Sequence, residues 1–292
     1  MDSRPRIRRV LPRVLASLLV LLASLVIAPV GVTGSTAACT PLTAFKESRF
    51  SDPTRINSRW SPFAPGMQYT LEGRADRGGG VLPHRVVLTV TDLTKVIDGV
   101  TTRVVWDRDF SSGELVEAEL AFFAQDKDAN VWGLGEYPEE YEDGAFVGAP
   151  NTWISGLASA QGGVLVPGRA ELGSSWFLQG QAPDIDFLDC GKVSKTGQSV
   201  CVPVGCYDNV LVVDEKSPLE PGSGTQRKYY APGVGNVQID AVGDKEGEIL
   251  VLVQVRQLTA SGLADARQSV QTLERRAYQI SDVYARTLPA TR

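Results

Sequence analysis

Between about residues 66 and 256, apolar and polar positions alternate with a period of two rather than 3.6, the mark of strands with one buried face. In HRVVLTVTD (84–92), Val86, Leu88 and Val90 share one face, and Val87, Thr89 and Thr91 share the other. Asp98-Gly99 predicts a tight hairpin, because a type I′ turn needs positive φ at both central residues. VTTRVVWDRDF and ELVEAELAFFAQ continue an antiparallel meander, and Asp143-Gly144 marks another hairpin. With SSWFLQGQ, DNVLVVDE, TQRKYYAP, NVQIDAV and EILVLVQVRQ, the pattern predicts roughly a dozen short strands. EILVLVQV (Glu248–Val255) is nearly all apolar in its middle, which predicts burial on both faces. The period changes after Ser261. Leu263, Ala266, Val270, Leu273, Ala277 and Ile280 recur every three or four residues, predicting one amphipathic helix over Ser261–Tyr284 with Thr259 or Ser261 as its cap. Its apolar stripe is expected to pack on the sheet, and display to a partner is the alternative. The expected fold class is mainly β: an antiparallel curved sheet, sandwich or partial barrel, with one C-terminal amphipathic α-helix.

The first 38 residues depart from both patterns. Five arginines precede an apolar run (Val14–Val32), and the small residues Thr33–Ala38 follow, with Thr36 and Ala38 fitting a signal peptidase. The expected organisation is therefore a signal peptide at 1–38, an N-terminal extended segment at 39–65, a β-rich domain at 66–258 and a helix at 259–292 packed on it. A retained membrane helix is the alternative, since the run approaches the ~20 residues that span a bilayer. Cys39, directly after Ala38, also raises lipoprotein attachment, although Thr36 stands where a lipobox prefers Leu. The expected location is outside the cytoplasm, secreted or associated with the cell envelope.

Removing 1–38 takes away five basic residues and one acidic residue from totals of 29 and 34, leaving 24 against 33, a net charge of −9. Such a domain repels nucleic acids and anionic lipid surfaces, so no nucleic-acid partner and no integral span after cleavage are expected. A single histidine, His84, excludes mechanisms that need two imidazoles. It opens a strand beside Pro83 and is expected at an exposed edge.

In an oxidising compartment the four cysteines, Cys39, Cys190, Cys201 and Cys206, predict two disulfides. Cys190 and Cys201 flank an expected hairpin around Lys195–Gly197, which would pair them and leave Cys39 for Cys206.

Candidate chemistry is sparse. Asp126, Asp128 and Asn130 copy the first ligands of a calcium loop, but Val131 and Tyr137 break the pattern, so a polar turn is the simpler reading and no cofactor is expected beyond this weak Ca²⁺ candidate. Glu136, Glu139, Glu140, Glu142 and Asp143 form an acidic run expected to be a solvated edge, and Asp184, Asp186 and Asp189 supply further carboxylates. The chain has no GxSxG and no SxxK, and its KTG at 195–197 falls in the expected turn. Five tryptophans (60, 106, 132, 153, 176) offer pocket-lining surface.

FSDPTRINSRWSPFAPGMQYTLEG (50–73), VIDGVTTRVVWDRDF, GELVEAELAFFAQDKDANVWGLGE and PLEPGSGTQRKYYAPGVGNVQ resemble successive blocks of a bacterial family of exported, functionally uncharacterised β-rich proteins. The resemblance spans most of 45–240, and the ending SDVYART also fits. Phe63, Ala129 and Cys206 depart from its usual residues. It implies architecture and compartment but no reaction. The expectation is a binding or accessory protein that holds an apolar or amphipathic small ligand in a β-sheet pocket. Trp132, Trp153, Trp176 and Tyr230 would line that pocket, and Glu136 and Asp184 would orient the ligand. A secreted carboxylate-dependent hydrolase or cyclase-like enzyme and a helix- or edge-mediated interaction module are the alternatives. The sequence assigns neither catalytic residues nor an oligomeric state.

Overall fold

The computed structural model describes residues 39–76, 80–243 and 247–292, and the signal-like segment 1–38 lies outside them. Strands β1 (Met67–Asp76), β2 (Val81–Ile97), β3 (Val100–Ser111), β4 (Glu114–Gln125) and β5 (Val131–Glu142) form an antiparallel meander. Two short strands, β6 (Ala145–Gly148) and β7 (Trp153–Ile154), both pair with β5. The meander resumes with β8 (Gln161–Val166), β9 (Phe177–Ala182), β10 (Phe187–Val202) and β11 (Gly205–Lys216). It ends with β12 (Thr225–Ala231), β13 (Gly235–Val242) and β14 (Ile249–Gln257). Because β14 returns to β1 and β5 bridges β4 and β8, twelve of the strands close into an antiparallel barrel. Closure satisfies the hydrogen-bonding edges that an open sheet would expose. The turns at Asp98-Gly99 (φ 49° and 76°) and Asp143-Gly144 (φ 50° and 76°) take the positive φ that their sequences predict.

The lumen is plugged at one end by residues 56–63, which precede β1. Ile56, Trp60 and Phe63 pack among Val90, Val105, Leu211 and Leu252, and Phe63 lies 5.0 Å from Phe123 between ring centroids. Backbone bonds pin this segment to the rim, from Gly66 N to Val90 O at 2.7 Å and from Gly233 N to Arg59 O at 2.7 Å.

Helix α1 (Ala260–Ile280) covers the outer face of β2–β5. Thr259 caps it by accepting from Gly262 N at 3.1 Å. The helix stops at Ile280, short of the expected Tyr284, because the chain turns at Ser281 and carries the Tyr284 ring inward against Phe122, Tyr137 and Tyr278. Val270, Leu273 and Ala277 pack on Val104, Leu120 and Leu134. A buried ion pair crosses this interface: Lys95 Nζ lies 2.8 Å from Glu274 Oε1, and Tyr278, Tyr284 and the Ala290 amide complete the network. On the opposite side, outward positions of β10–β12 carry the charged Lys192, Asp214 and Arg227 and the polar Ser194. Among the described residues, no helix is long and apolar enough to cross a membrane.

Two expectations are corrected here. The cysteines pair as Cys39–Cys190 and Cys201–Cys206, with Cα atoms 5.7 and 4.0 Å apart. The sequence Lys195–Gly197 is no hairpin: β10 passes straight through it with a register shift at Gly197, and the turn falls at Pro203-Val204, which sets Cys201 opposite Cys206. Cys190 points outward beside Leu178, where the N-terminal segment lays Cys39. The middle of β14 is also not buried on both faces. Leu250 and Leu252 enter the lumen, while Val251 and Val253 remain half-exposed outside.

The two disulfides differ in what they restrain. Cys39–Cys190 closes a 151-residue separation and Cys201–Cys206 closes five. Loop-closure entropy therefore assigns about 5 kcal/mol to the first and about 2 kcal/mol to the second. Urea titration of the paired Cys→Ser variants is expected to show the larger loss for Cys39/Cys190, and equal losses would contradict this.

Candidate functional site

Strand alternation divides the lumen into layers. Along β3, Val105, Asp107 and Asp109 succeed one another on the inner face, and along β4 the sequence is Phe123, Ala121, Glu119 and Glu117. Along β12 it is Tyr230, Lys228 and Gln226, and along β2 it is Leu88, Val86 and His84. Next to the plug the walls are thus apolar. One step further they become a belt of Asp107, Glu119, Glu136, Asp189, Glu215 and Lys228. Beyond it lies a polar layer in which His84 Nε2 is 2.6 Å from Asp109 and Nδ1 is 3.0 Å from Glu248. A cavity of about 270 Å³ lies between plug and belt, lined by Phe63, Tyr69, Leu71, Phe123, Leu165 and Ile239 at its apolar side.

The belt holds more carboxylates than cations. Lys228 Nζ pairs with Glu215 Oε2 at 2.6 Å, and Gln179 donates to the other Glu215 oxygen at 3.0 Å. Burial pulls the Lys228 ammonium down, but Glu215 and Asp189 outweigh it and keep the group protonated. Burial, reinforced by neighbouring carboxylates, pushes Asp107 and Asp189 up to about 6. It pushes Glu136 up to about 7 against the hydrogen bond from Trp153, and it holds Glu119 well above the usual range together with Glu136. Oδ1 of Asp107 and Oδ1 of Asn236, both on the cavity wall, are buried without a hydrogen-bond partner. The arrangement offers an apolar compartment closed at one end by groups that favour a positive charge or a hydrogen-bond donor.

The structure distributes the expected site residues unevenly. Glu136 and Tyr230 line the cavity. Trp153 adjoins it, donating from Nε1 to Glu136 Oε2 at 3.1 Å and stacking on Phe187 at 5.3 Å. Trp132 lies outside the barrel between Phe45 and Phe50, and Trp176 packs beside the Cys39–Cys190 bridge under Lys216. Asp184 sits exposed in the turn Pro183–Ile185 and does not line the cavity.

The Asp126 carboxylate accepts from the Asp128 and Asn130 amides, Asn130 Nδ2 and Trp132 Nε1 at 2.9–3.1 Å, and also pairs with Arg49, so the turn spends its oxygens internally. The acidic run is not a uniform solvated edge. Glu136 faces the lumen, whereas Glu139 is fully buried on the outer face and held by Tyr137, Tyr141 and Arg276 of α1. His84 is buried and doubly paired rather than exposed, because β2 delivers it to the inner face.

Asp107, Glu119, Glu215 and Lys228 escaped the sequence reading, and Asp189 entered it only as a further carboxylate. Their signal was present: Val105-x-Asp107 and Glu119-x-Ala121-x-Phe123 put charged and apolar residues on one face, which suits a lumen better than a solvent face.

No protein-family model and no curated protein matches the chain. Two solved structures are similar to it: a proposed exported protein with a YmcC-like fold from Bacteroides fragilis and a proposed lipoprotein from Parabacteroides distasonis. Each is 14% identical, with 68% of this chain and 99% of that chain covered, and the TM-scores are 0.37 and 0.30.

The lumen sets the pH dependence of stability. Burial pulls His84 down, but hydrogen bonds to Asp109 and Glu248 more than reverse this and raise it from 6.5 to about 9. The folded state therefore binds that proton more tightly, so the contribution, about 3 kcal/mol at most, is full below pH 6.5 and lost as pH rises through 9. Glu136, raised from 4.5 to about 7, has the same sign between those values. Melting temperature is expected to fall from pH 4.5 to 9, with Glu136→Gln flattening the acidic half of the curve and His84→Gln the alkaline half. Unchanged slopes in both variants would contradict these assignments.

Proposed function

We propose that this is an exported accessory protein that holds an amphipathic small molecule inside its barrel. The ligand's apolar body would lie against Phe63, Phe123, Leu165 and Ile239, and a basic or hydrogen-bond-donating end would meet Asp107, Glu119 and Glu136. The observation that carries this reading is the cavity between plug and belt, with the orphan oxygens of Asp107 and Asn236 on its wall. Export is supported by the signal-like 1–38 and by two disulfides, which persist in oxidising compartments. The Cys39 sulfur is bonded to Cys190, which supports a form without lipid on that residue, since a thioether would need the same atom.

A carboxylate-dependent enzyme is the second reading. It is favoured by the raised proton affinity of Glu119 and Glu136 on adjacent strands, the arrangement from which one group acts as acid and another as base. Under it, Glu136→Gln abolishes turnover while retaining the fold.

Calorimetric titration with octylamine, octanol and octanoate at pH 6, where the belt carboxyls are still largely protonated, tests the carrier reading. Octylamine is expected to bind best and to release protons as the belt ionises, so its apparent heat changes between buffers of different ionisation enthalpy. Ile239→Trp, which fills the cavity, should abolish binding. Absence of binding by all three probes would overturn the carrier reading, and equal binding of amine and alcohol would remove the basic end from it.

A further inference from the structure

Four strands present a second feature on the outside of the barrel, away from the lumen and from α1. Arg256 on β14 stands opposite Gln68 on β1, Glu72 on β1 opposite Arg85 on β2, and Arg85 opposite Phe110 on β3. These residues and Arg108 line an open groove of about 320 Å³, with Thr70 and Gln254 on its floor. Three guanidinium groups therefore converge on one outer face of a domain whose net charge after loss of 1–38 is negative.

None of the three arginines forms an ion pair among the described residues. Arg85 stacks on Phe110 at 4.3 Å and Arg108 on Trp106 at 4.0 Å. Arg256 spends Nε on Gln68 Oε1 at 2.8 Å, and Gln68 is itself fixed by its bond to Thr89 at 2.8 Å. Nε of Arg85 and Nε of Arg108 are buried without a partner, so these two nitrogens have given up water without receiving an acceptor. Their mutual repulsion registers on Arg108, which burial and then Arg85 and Arg256 pull down against the attraction of Asp107. Like charges held together, stacked in fixed orientations and short of acceptors are the condition for binding a compact oxyanion, because planar guanidinium forks match its oxygens bidentately. Thr70 and Gln254 add neutral hydrogen-bonding groups. Glu72 stands exposed in the same groove as the one carboxylate that competes with an incoming anion.

We infer that the groove formed by Arg85, Arg108 and Arg256 is a binding site for a phosphoryl group, either free or carried by a lipid headgroup. The site lies on the outer face of the barrel wall, on the other side from the cavity.

The test measures the melting temperature of the full folded protein in inorganic phosphate against chloride at equal ionic strength, together with sedimentation on vesicles of phosphatidylglycerol or phosphatidylcholine. Phosphate is expected to raise the melting temperature above chloride. Arg108→Gln is expected to weaken apparent phosphate affinity by at least about tenfold, and Glu72→Gln to strengthen it. Arg256→Gln, an exposed change that leaves the stacked pairs intact, serves if Arg108→Gln fails to fold, and it too should lower affinity. A phosphate effect without vesicle binding assigns the site to soluble phosphoryl compounds. A phosphate effect with recruitment to phosphatidylglycerol alone, lost in Arg256→Gln, assigns it to headgroups. Equal behaviour in phosphate and chloride, or a phosphate effect that survives both arginine substitutions, would overturn the proposal.

Discussion

Everything distinctive about this molecule depends on the return of β14 to β1. While the sheet is open, each strand has one face toward a core and one toward water, and inward acids on β3, β4 and β5 would simply be solvated. Once Met67–Arg74 pairs with Ile249–Gln257, the inner faces of twelve strands enclose one space, and every inward side chain must find its partner there. Plug, belt and polar layer are consequences of that enclosure. Ile56, Trp60 and Phe63 fill the end where the inward residues are apolar, and Asp107, Glu119, Glu136 and Lys228 meet where they are not.

Enclosure also explains the electrostatics. A carboxylate on an open surface keeps its ordinary proton affinity because water screens its neighbours. In the belt, burial and adjacent carboxylates act in the same direction, and Lys228, already engaged with Glu215, compensates only part of the charge. Holding these groups together costs stability as pH rises, a cost that a bound cation would offset. The outer face solves the parallel problem differently. Glu139 and Glu274 are buried there too, but each has its own cation, Arg276 and Lys95, supplied across the interface between helix and sheet.

Much of the architecture was legible in the chain. The period of two, the Asp98-Gly99 and Asp143-Gly144 turns and the 3–4 spacing after Ser261 identify a β-rich body and one C-terminal helix, because each is a local rule. Closure was not legible, since it depends on the pairing of segments some 180 residues apart, which no local pattern reports. The disulfides failed for the same reason. Lys195-Thr196-Gly197 has turn chemistry, yet the pairing of β10 with β11 carries the strand past it, and Cys190 is claimed by a residue 151 positions away. At the site, Glu136 and Tyr230 were found by residue type, while Trp132 and Trp176 show its limit: Trp132 on β5 had two faces to choose from, Trp176 lies just before β9 beside the Cys39–Cys190 bridge, and the outer face of this barrel is also covered.

The central claim is that the lumen is built to receive a basic end against its carboxylates. Carboxyl-selective ¹³C NMR titration of Glu136, with and without octylamine, tests it most directly. The account predicts an apparent pKa of about 7 in the free protein that falls when the amine binds. A Glu136 that titrates as an ordinary glutamate, or one whose titration is unmoved by bound octylamine, would contradict it.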